Sequence, residues 1–160
     1  MKKEKKLKIC VDGGSRGNPG LGACAAVFFD SEGEILREEG KYLGRCTNNF
    51  AEYHGLRLAL QAAARLGAEE LEVFSDSELL VRQYGGEYRI KDETLAGIMA
   101  EIKKTASGFK KVSLSHIPRA KNKEADRLVN QILDNARHAP AGVDKTLAKE
   151  NAAGKQPRLF

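Results

Sequence analysis

Asn49-Phe-Ala-Glu-Tyr-His-Gly-Leu-Arg-Leu-Ala-Leu-Gln-Ala-Ala-Ala-Arg-Leu66 is where the chain changes period. Leu56, Ala59, Leu60 and Ala63 recur there at helical spacing and Gly67 supplies a stop, so the stretch reads as an amphipathic helix. On its N-terminal side the pattern is that of strands. Lys8 to Asp12 alternates and runs into a glycine-rich turn, Gly13-Gly-Ser-Arg-Gly-Asn-Pro-Gly20. Gly22 to Asp30 carries Ala25-Ala-Val-Phe-Phe29, and Glu34 to Leu43 follows a hairpin-type turn at Ser31-Glu-Gly33. Short turns make these three strands antiparallel. On the C-terminal side come a strand at Leu71 to Phe74 and a helix from Glu78 to about Tyr84, broken by Gly85-Gly86. A helix from Asp92 to near Gly108, a strand at Lys111 to Ile117 and a last helix from Asn122 to about Ala136 complete the pattern. The order βββαβααβα predicts an α/β domain with a mixed sheet, its later strands parallel through helical crossovers.

A chain of 160 residues, 41% hydrophobic and 31% charged, suits one globular domain and excludes a wholly disordered one. No apolar run approaches the ~18 residues of a membrane span. The start, Met1-Lys-Lys-Glu-Lys-Lys-Leu-Lys8, lacks the apolar region of a signal peptide. Cys10, Cys24 and Cys46 are an odd number without a C-x-x-C pair, which argues against a disulfide framework or a zinc site and suits a reducing cytoplasm. With 27 Lys and Arg against 22 Asp and Glu the net charge is +5, a faint pointer to nucleic acid. From Ala139 onward the composition turns to Ala, Gly, Lys and Pro without periodicity, as expected of a flexible tail.

The informative residues are acids placed where apolar side chains belong. Asp12 ends the first predicted strand in phase with Cys10, and Glu52 lies on the stripe of Leu56, Ala59, Leu60 and Ala63. Asp76 follows the strand Leu71-Glu-Val-Phe-Ser75, and Asp126 shares a stripe with Val129 and Leu133. A buried carboxylate is costly unless it is paired or binds a cation. One such acid is ordinarily a cap or an ion-pair partner. Four at element ends, without a basic partner on the same stripe, fit a shared divalent-cation site, because hard cations take carboxylate oxygens and keep several waters. Two such ions can activate a water and stabilise a leaving oxygen in phosphodiester hydrolysis. The glycine-rich turn is not a P-loop, lacking Gly-Lys-Ser/Thr, nor a dinucleotide fingerprint, since it leads into a strand. It reads as a tight connection that carries Ser15 and Asn18 close to a ligand backbone, or as a satisfied hairpin.

Asp12-Gly-Gly-Ser-Arg-Gly-Asn-Pro-Gly20, Thr47-Asn-Asn-Phe-Ala-Glu-Tyr53, Ser75-Asp-Ser77 and Asn122-Lys-Glu-Ala-Asp126 resemble, in order and spacing, the signature set of type 1 ribonuclease H. The resemblance runs from about Leu7 to Ala136. It implies a ribonuclease H-like fold, a five-stranded mixed β-sheet flanked by α-helices, with residues 1–138 as catalytic domain and 139–160 as flexible tail. It also implies metal-dependent cleavage of the RNA strand of RNA–DNA hybrids with two Mg²⁺ ions, Mn²⁺ being a possible substitute. The catalytic and metal-ligand roles fall on Asp12, Glu52, Asp76 and Asp126, with Glu52 also sensing the ribose 2′-hydroxyl by which RNA is told from DNA. Asn48 and Asn49 match the paired asparagines that reach the minor groove, and Thr47 a residue that holds a DNA-strand phosphate. Gly13, Gly14, Ser15, Asn18 and Ser77 are assigned to substrate binding with their motifs. Thr94 sits at a helix start, where N–H groups favour an anion.

In two places the chain resembles a shorter branch of that family. His116 alternates with Val112 and Leu114 and precedes Ile-Pro, so it reads as the end of a strand and not as part of a His-bearing loop; Arg119 takes the place near the leaving group. The stretch Gly85-Gly-Glu-Tyr-Arg-Ile-Lys91 is short where relatives insert a basic protrusion, and no hybrid-binding domain is expected before Leu7. Grip on the hybrid would rest on the core face and on cations such as Arg16, Lys91, Arg119, Lys121 and Lys123. The ending Gln156-Pro-Arg-Leu-Phe160 resembles the peptide by which bacterial proteins dock on the sliding clamp, with Leu159 and Phe160 as apolar anchors and Gln156 at the rim. A monomer is expected. Two other readings stand beside hybrid hydrolysis: a non-catalytic hybrid-binding module, and a same-fold nuclease acting on double-stranded RNA or structured DNA.

Overall fold

Strand β1 (Lys6–Gly17) is the central strand of a five-stranded sheet in a computed structural model that describes residues 5–137. The predicted tail from residue 139, with Gln156, Leu159 and Phe160, lies outside the described residues. Along the chain follow β2 (Gly20–Phe29), β3 (Ile35–Cys46), α1 (Asn48–Leu66), β4 (Glu70–Ser75), α2 (Glu78–Tyr84), α3 (Glu93–Ala106), β5 (Lys111–His116) and α4 (Lys123–Arg137). A single 3₁₀ turn, Arg119–Lys121, joins β5 to α4. The spatial order is β3-β2-β1-β4-β5. β1–β2 and β2–β3 pair antiparallel, β1–β4 and β4–β5 parallel, as the element order predicts.

Period-two alternation in β1 divides the core into two layers. Leu7, Ile9 and Val11 turn to one face and pack with Leu56, Ala59 and Leu60 of α1, Leu80 of α2 and Ile98 and Ile102 of α3. Cys10 turns to the other face, where Ala23, Ala25 and Val27 of β2 meet Ala125, Leu128, Val129, Ile132 and Leu133 of α4. Helix α1 is closed at both ends by its own sequence. Phe50 N donates to Thr47 Oγ1 at 3.2 Å, and Gly67 takes the left-handed conformation at φ 77°. Among the described residues no helix is long and apolar enough to cross a membrane.

The glycine-rich segment departs from its reading as a turn. β1 stays paired to β2 from Gly13↔Cys24 through Gly17↔Gly20, so the turn is confined to residues 17–20 and Asp12 lies in mid-strand opposite Ala25. The reason is close approach. A Cβ on Gly13 would stand 2.2 Å from Ala51 O, and one on Gly55 2.7 Å from Asp12 O, so these positions lack side chains because α1 lies directly on β1. Likewise β3 runs on to Cys46, past the predicted Leu43, because its ladder with β2 continues to Gly20↔Cys46.

Two glycine-to-alanine changes test this packing in opposite directions. Gly13→Ala meets backbone atoms that cannot rotate away, and should cost at least about 3 kcal/mol in urea unfolding. Gly97→Ala, inside α3 with nothing near its Cβ, should stabilise by about 0.5–1 kcal/mol.

Candidate active site

Four carboxylates from four elements line one open pocket of about 340 Å³: Asp12 of β1, Glu52 of α1, Asp76 directly after β4 and Asp126 in the first turn of α4. Of the other predicted residues, Gly13, Gly14, Ser15, Arg16, Asn48 and Arg119 line the same pocket. Ser15 N donates to Asn48 Oδ1 at 3.2 Å, and Asn48 N donates to Asn18 Oδ1 at 3.0 Å, so the β1–β2 turn is tied to the start of α1. Asn18, Thr47, Asn49, Ser77 and Thr94 are not among the lining residues. Asn18 holds the Asn48 backbone, Thr47 caps α1 and Ser77 caps α2 through Leu80 N at 3.2 Å. Asn49 is half-buried in the first turn of α1, and Thr94 stands exposed in the first turn of α3. His116 is the last residue of β5, exposed and level with Ser75, and is not a lining residue.

Crowding these acids together has an electrostatic consequence. Burial first, then the neighbouring Asp76, pushes the Asp12 carboxyl up to about 8; the Gly13 N–H opposes the rise, and Asp126 and Glu52 add to it. Burial likewise pushes Glu52 up to about 7, with the Ser77 hydroxyl opposing and Asp76 reinforcing. A bound cation would relieve both penalties. Among the described residues no three His, Cys, Asp or Glu side chains are arranged to grip a metal directly. The acids therefore line the pocket without closing into a cage. Carboxylate oxygens in an open, polar pocket fit a hard cation such as Mg²⁺, which keeps much of its water and takes only one or two carboxylates.

Around the acids, Asn122 and Asn130 carry no assigned role in the sequence, and Arg16, expected as a cation gripping the hybrid, is engaged within the chain. Asn122 Nδ2 donates to Val11 O at 2.8 Å and to Asp76 Oδ2 at 3.3 Å. Asn130 Nδ2 donates to Asp126 O at 3.0 Å, and Arg16 Nη2 donates to Asn130 Oδ1 at 3.1 Å. Arg16 also pairs with Asp134 at 2.7 Å, tying the far end of β1 to α4. Asn130 and Asp134 fall four and eight residues after Asp126, so helical spacing alone places them on its face. Asn122 opens the Asn122-Lys-Glu-Ala-Asp126 motif, with nothing in its spacing to show what it touches. Arg119 reaches Asp126 Oδ1 at 3.4 Å from a side chain that is largely in solvent.

A mixed five-stranded sheet with helices on both faces is the ribonuclease H fold. Solved structures share it. The RNase H1 of the halophilic archaeon Halobacterium salinarum superposes with TM-score 0.79 at 39% identity, over 81% of this chain and 98% of that one. LC11-RNase H1, solved in complex with an RNA/DNA hybrid, gives 0.78 at 40% identity over 82% and 99%. A family model described as reverse transcriptase-like matches residues 10–132. In sequence the chain is 42% identical to ribonuclease HI of Halobacterium salinarum over 131 residues and 40% identical to the bifunctional protein Rv2228c of Mycobacterium tuberculosis over 137 residues. Those alignments cover 82% and 85% of this chain but only 66% and 38% of the two relatives. The chain belongs to the reverse transcriptase-like family and, within it, to type 1 ribonuclease H.

The raised acids give a pH signature for the metal-free protein. A carboxyl that titrates near 3.8 when unfolded and near 8 when folded leaves the native state holding the extra proton between those values, so its contribution to stability falls as pH rises through that window. Asp12→Asn cannot titrate. In EDTA, its melting temperature relative to the wild type should therefore climb between about pH 5 and pH 8.5. A flat difference would show that Asp12 is not held against its charge.

Proposed function

We propose that the chain is a divalent-metal-dependent endoribonuclease that hydrolyses the RNA strand of RNA–DNA hybrids. The observation that carries this reading is the convergence of Asp12, Glu52, Asp76 and Asp126 on one pocket in a member of this family. The hybrid bound to LC11-RNase H1, a neighbour at 40% identity, supports the choice of substrate. Asp12, Glu52, Asp76 and Asp126 would hold two Mg²⁺ ions, or Mn²⁺ in their place, and when bound these supply an activated water and charge stabilisation for cleavage to 5′-phosphate and 3′-hydroxyl ends.

The chain's own residues would do the rest. Gly13 lets α1 seat against β1 at the pocket wall, and Gly14, with only Asn48 Oδ1 near its missing side chain, leaves room for a nucleic-acid backbone. Asn48, its Oδ1 engaged by Ser15, presents its NH₂ end as a donor for base edges or a 2′-hydroxyl, with Asn49 beside it. Ser77 steadies Glu52, and the Thr47 hydroxyl, accepting from Phe50 N, keeps its proton for a phosphate. Arg119 stands beside Asp126, placed to offset charge on a leaving oxygen. All four acids come from one chain, which supports a monomeric enzyme. The free thiols Cys10, Cys24 and Cys46 support a reducing, cytoplasmic setting.

Strand-labelled hybrid, double-stranded RNA and double-stranded DNA, each offered with Mg²⁺ or Mn²⁺, test the reading. Metal-dependent cuts in the RNA strand of the hybrid are expected. Asp76→Asn should slow them on the order of 10³-fold, the loss of several kcal/mol of charge stabilisation. Cleavage confined to double-stranded RNA would favour the same-fold alternative, and binding without cleavage a non-catalytic module.

The C-terminal Gln156, Leu159 and Phe160 support a second, separable role in docking on a bacterial sliding clamp. Deleting residues 156–160 should leave hybrid cleavage unchanged and abolish binding to the clamp in surface plasmon resonance. Unchanged clamp affinity would end that idea.

A further inference from the structure

Asn122 occupies a junction that the hydrolytic reading does not use. It is fully buried, at 0% exposure, just ahead of α4, and three of its polar groups make four hydrogen bonds at once. Its backbone N–H donates to Arg119 O at 2.9 Å, closing the 3₁₀ turn, and its carbonyl accepts from Asp126 N at 3.1 Å, opening α4. Its side-chain Nδ2 donates to Val11 O, next to Asp12, and to Asp76 Oδ2. One residue thus touches the backbone beside one acid, the carboxylate of a second and the amide of a third.

We propose that Asn122 is a positioning residue for the acid pocket: its side-chain amide fixes the Asp76 carboxylate relative to β1 and α4, and so sets the spacing at which Asp12, Asp76 and Asp126 receive a divalent cation. This rests on the metal-dependent reading above. Three observations carry it. Val11 is the last residue of β1 paired to β4, so its carbonyl lies where the parallel ladder ends and a side chain must take over. Among the described residues Asn122 is the sole hydrogen-bond donor to the Asp76 carboxylate. Its Oδ1 has no hydrogen-bond partner, so the amide is held by its donor end alone. A leucine would fill the same space and an aspartate would keep the shape. Neither donates, and donation is what the position uses.

A role confined to satisfying Val11 O would show in stability alone. Positioning of Asp76 would also show in the affinity of the free protein for metal, where outer partners of ligating carboxylates are worth about 10–100-fold. The experiment titrates Mn²⁺ into wild type, Asn122→Ala and Asn122→Leu by calorimetry without nucleic acid, at a temperature where circular dichroism shows each fully folded. The same proteins are assayed for hybrid cleavage across Mn²⁺ concentration. Mn²⁺ affinity is expected to fall about 10–100-fold in both variants, with the half-saturating concentration for cleavage rising in step. Folded variants that bind Mn²⁺ within about threefold of wild type would overturn the proposal, as would failure of both variants to fold. Should wild type bind Mn²⁺ and leave the hybrid intact while the variants bind more weakly, the hydrolase reading falls and the positioning role stands.

Discussion

The backbone of α1 rests directly on the backbone of β1, and the pocket depends on that contact. At Gly13 the space for a side chain is filled by Ala51 O, and at Gly55 by Asp12 O. An ordinary residue at either place would push the helix outward, and Glu52, one residue from Ala51, would move with it. Strand and helix are therefore registered to each other by two absences. The buried residues of α1, from Ala51 to Ala63, are small or aliphatic except Tyr53, which keeps the helix seated along its length. Asn18 and Ser15 fasten the same end through Asn48. Local sequence at the glycines thus becomes the distance between two carboxylates.

That geometry works against the metal-free fold. Asp12 and Glu52 are held where burial and neighbouring acids disfavour their charged forms. The two apolar layers on either side of the sheet offset the cost. Glu39 shows what a structural acid looks like in the same molecule. It is 1% exposed, more deeply buried than the pocket acids, yet Arg37 hydrogen-bonds it and Arg65 Nη2 stands 3.9 Å away. Buried charge alone does not mark a site. Buried charge without a basic partner does, because only there is a cation still wanted.

That distinction explains why the acids were legible in the sequence. Glu52 sits on an apolar stripe with no Lys or Arg three or four residues away, whereas Glu39 has Arg37 two residues away on the same side of its strand. Element order and the parallel or antiparallel sense of each pairing were likewise legible, since period and turn length decide them. The glycine-rich segment reads as a turn from sequence because glycine marks both turns and close approaches, and only the position of α1 tells which. Asn122, Asn130 and the intramolecular partners of Arg16, which the sequence offers only as a cation for the hybrid, are silent for a related reason. Their bonds span residues far apart in the chain, Asn122 to Val11 and Arg16 to Asn130, and no local pattern records them.

The acids come from both layers of the fold, and the sheet itself lets them meet. β4 ends at Ser75, level with Val11, while β1 continues to Gly17. From Asp12 onward the β4 side of β1 therefore has no strand beside it. Asp76 emerges at that point, Asn122 reaches Val11 through it, and Glu52 from one layer and Asp126 from the other line the same opening. Had β4 been a few residues longer, ladder hydrogen bonds would occupy the gap and the two layers would stay separated. A pocket at the C-terminal ends of neighbouring parallel strands is where α/β sheets generally bind ligands. Here the unequal lengths of two parallel strands are sufficient to create it, and the acids follow from what the surrounding elements can place at its rim.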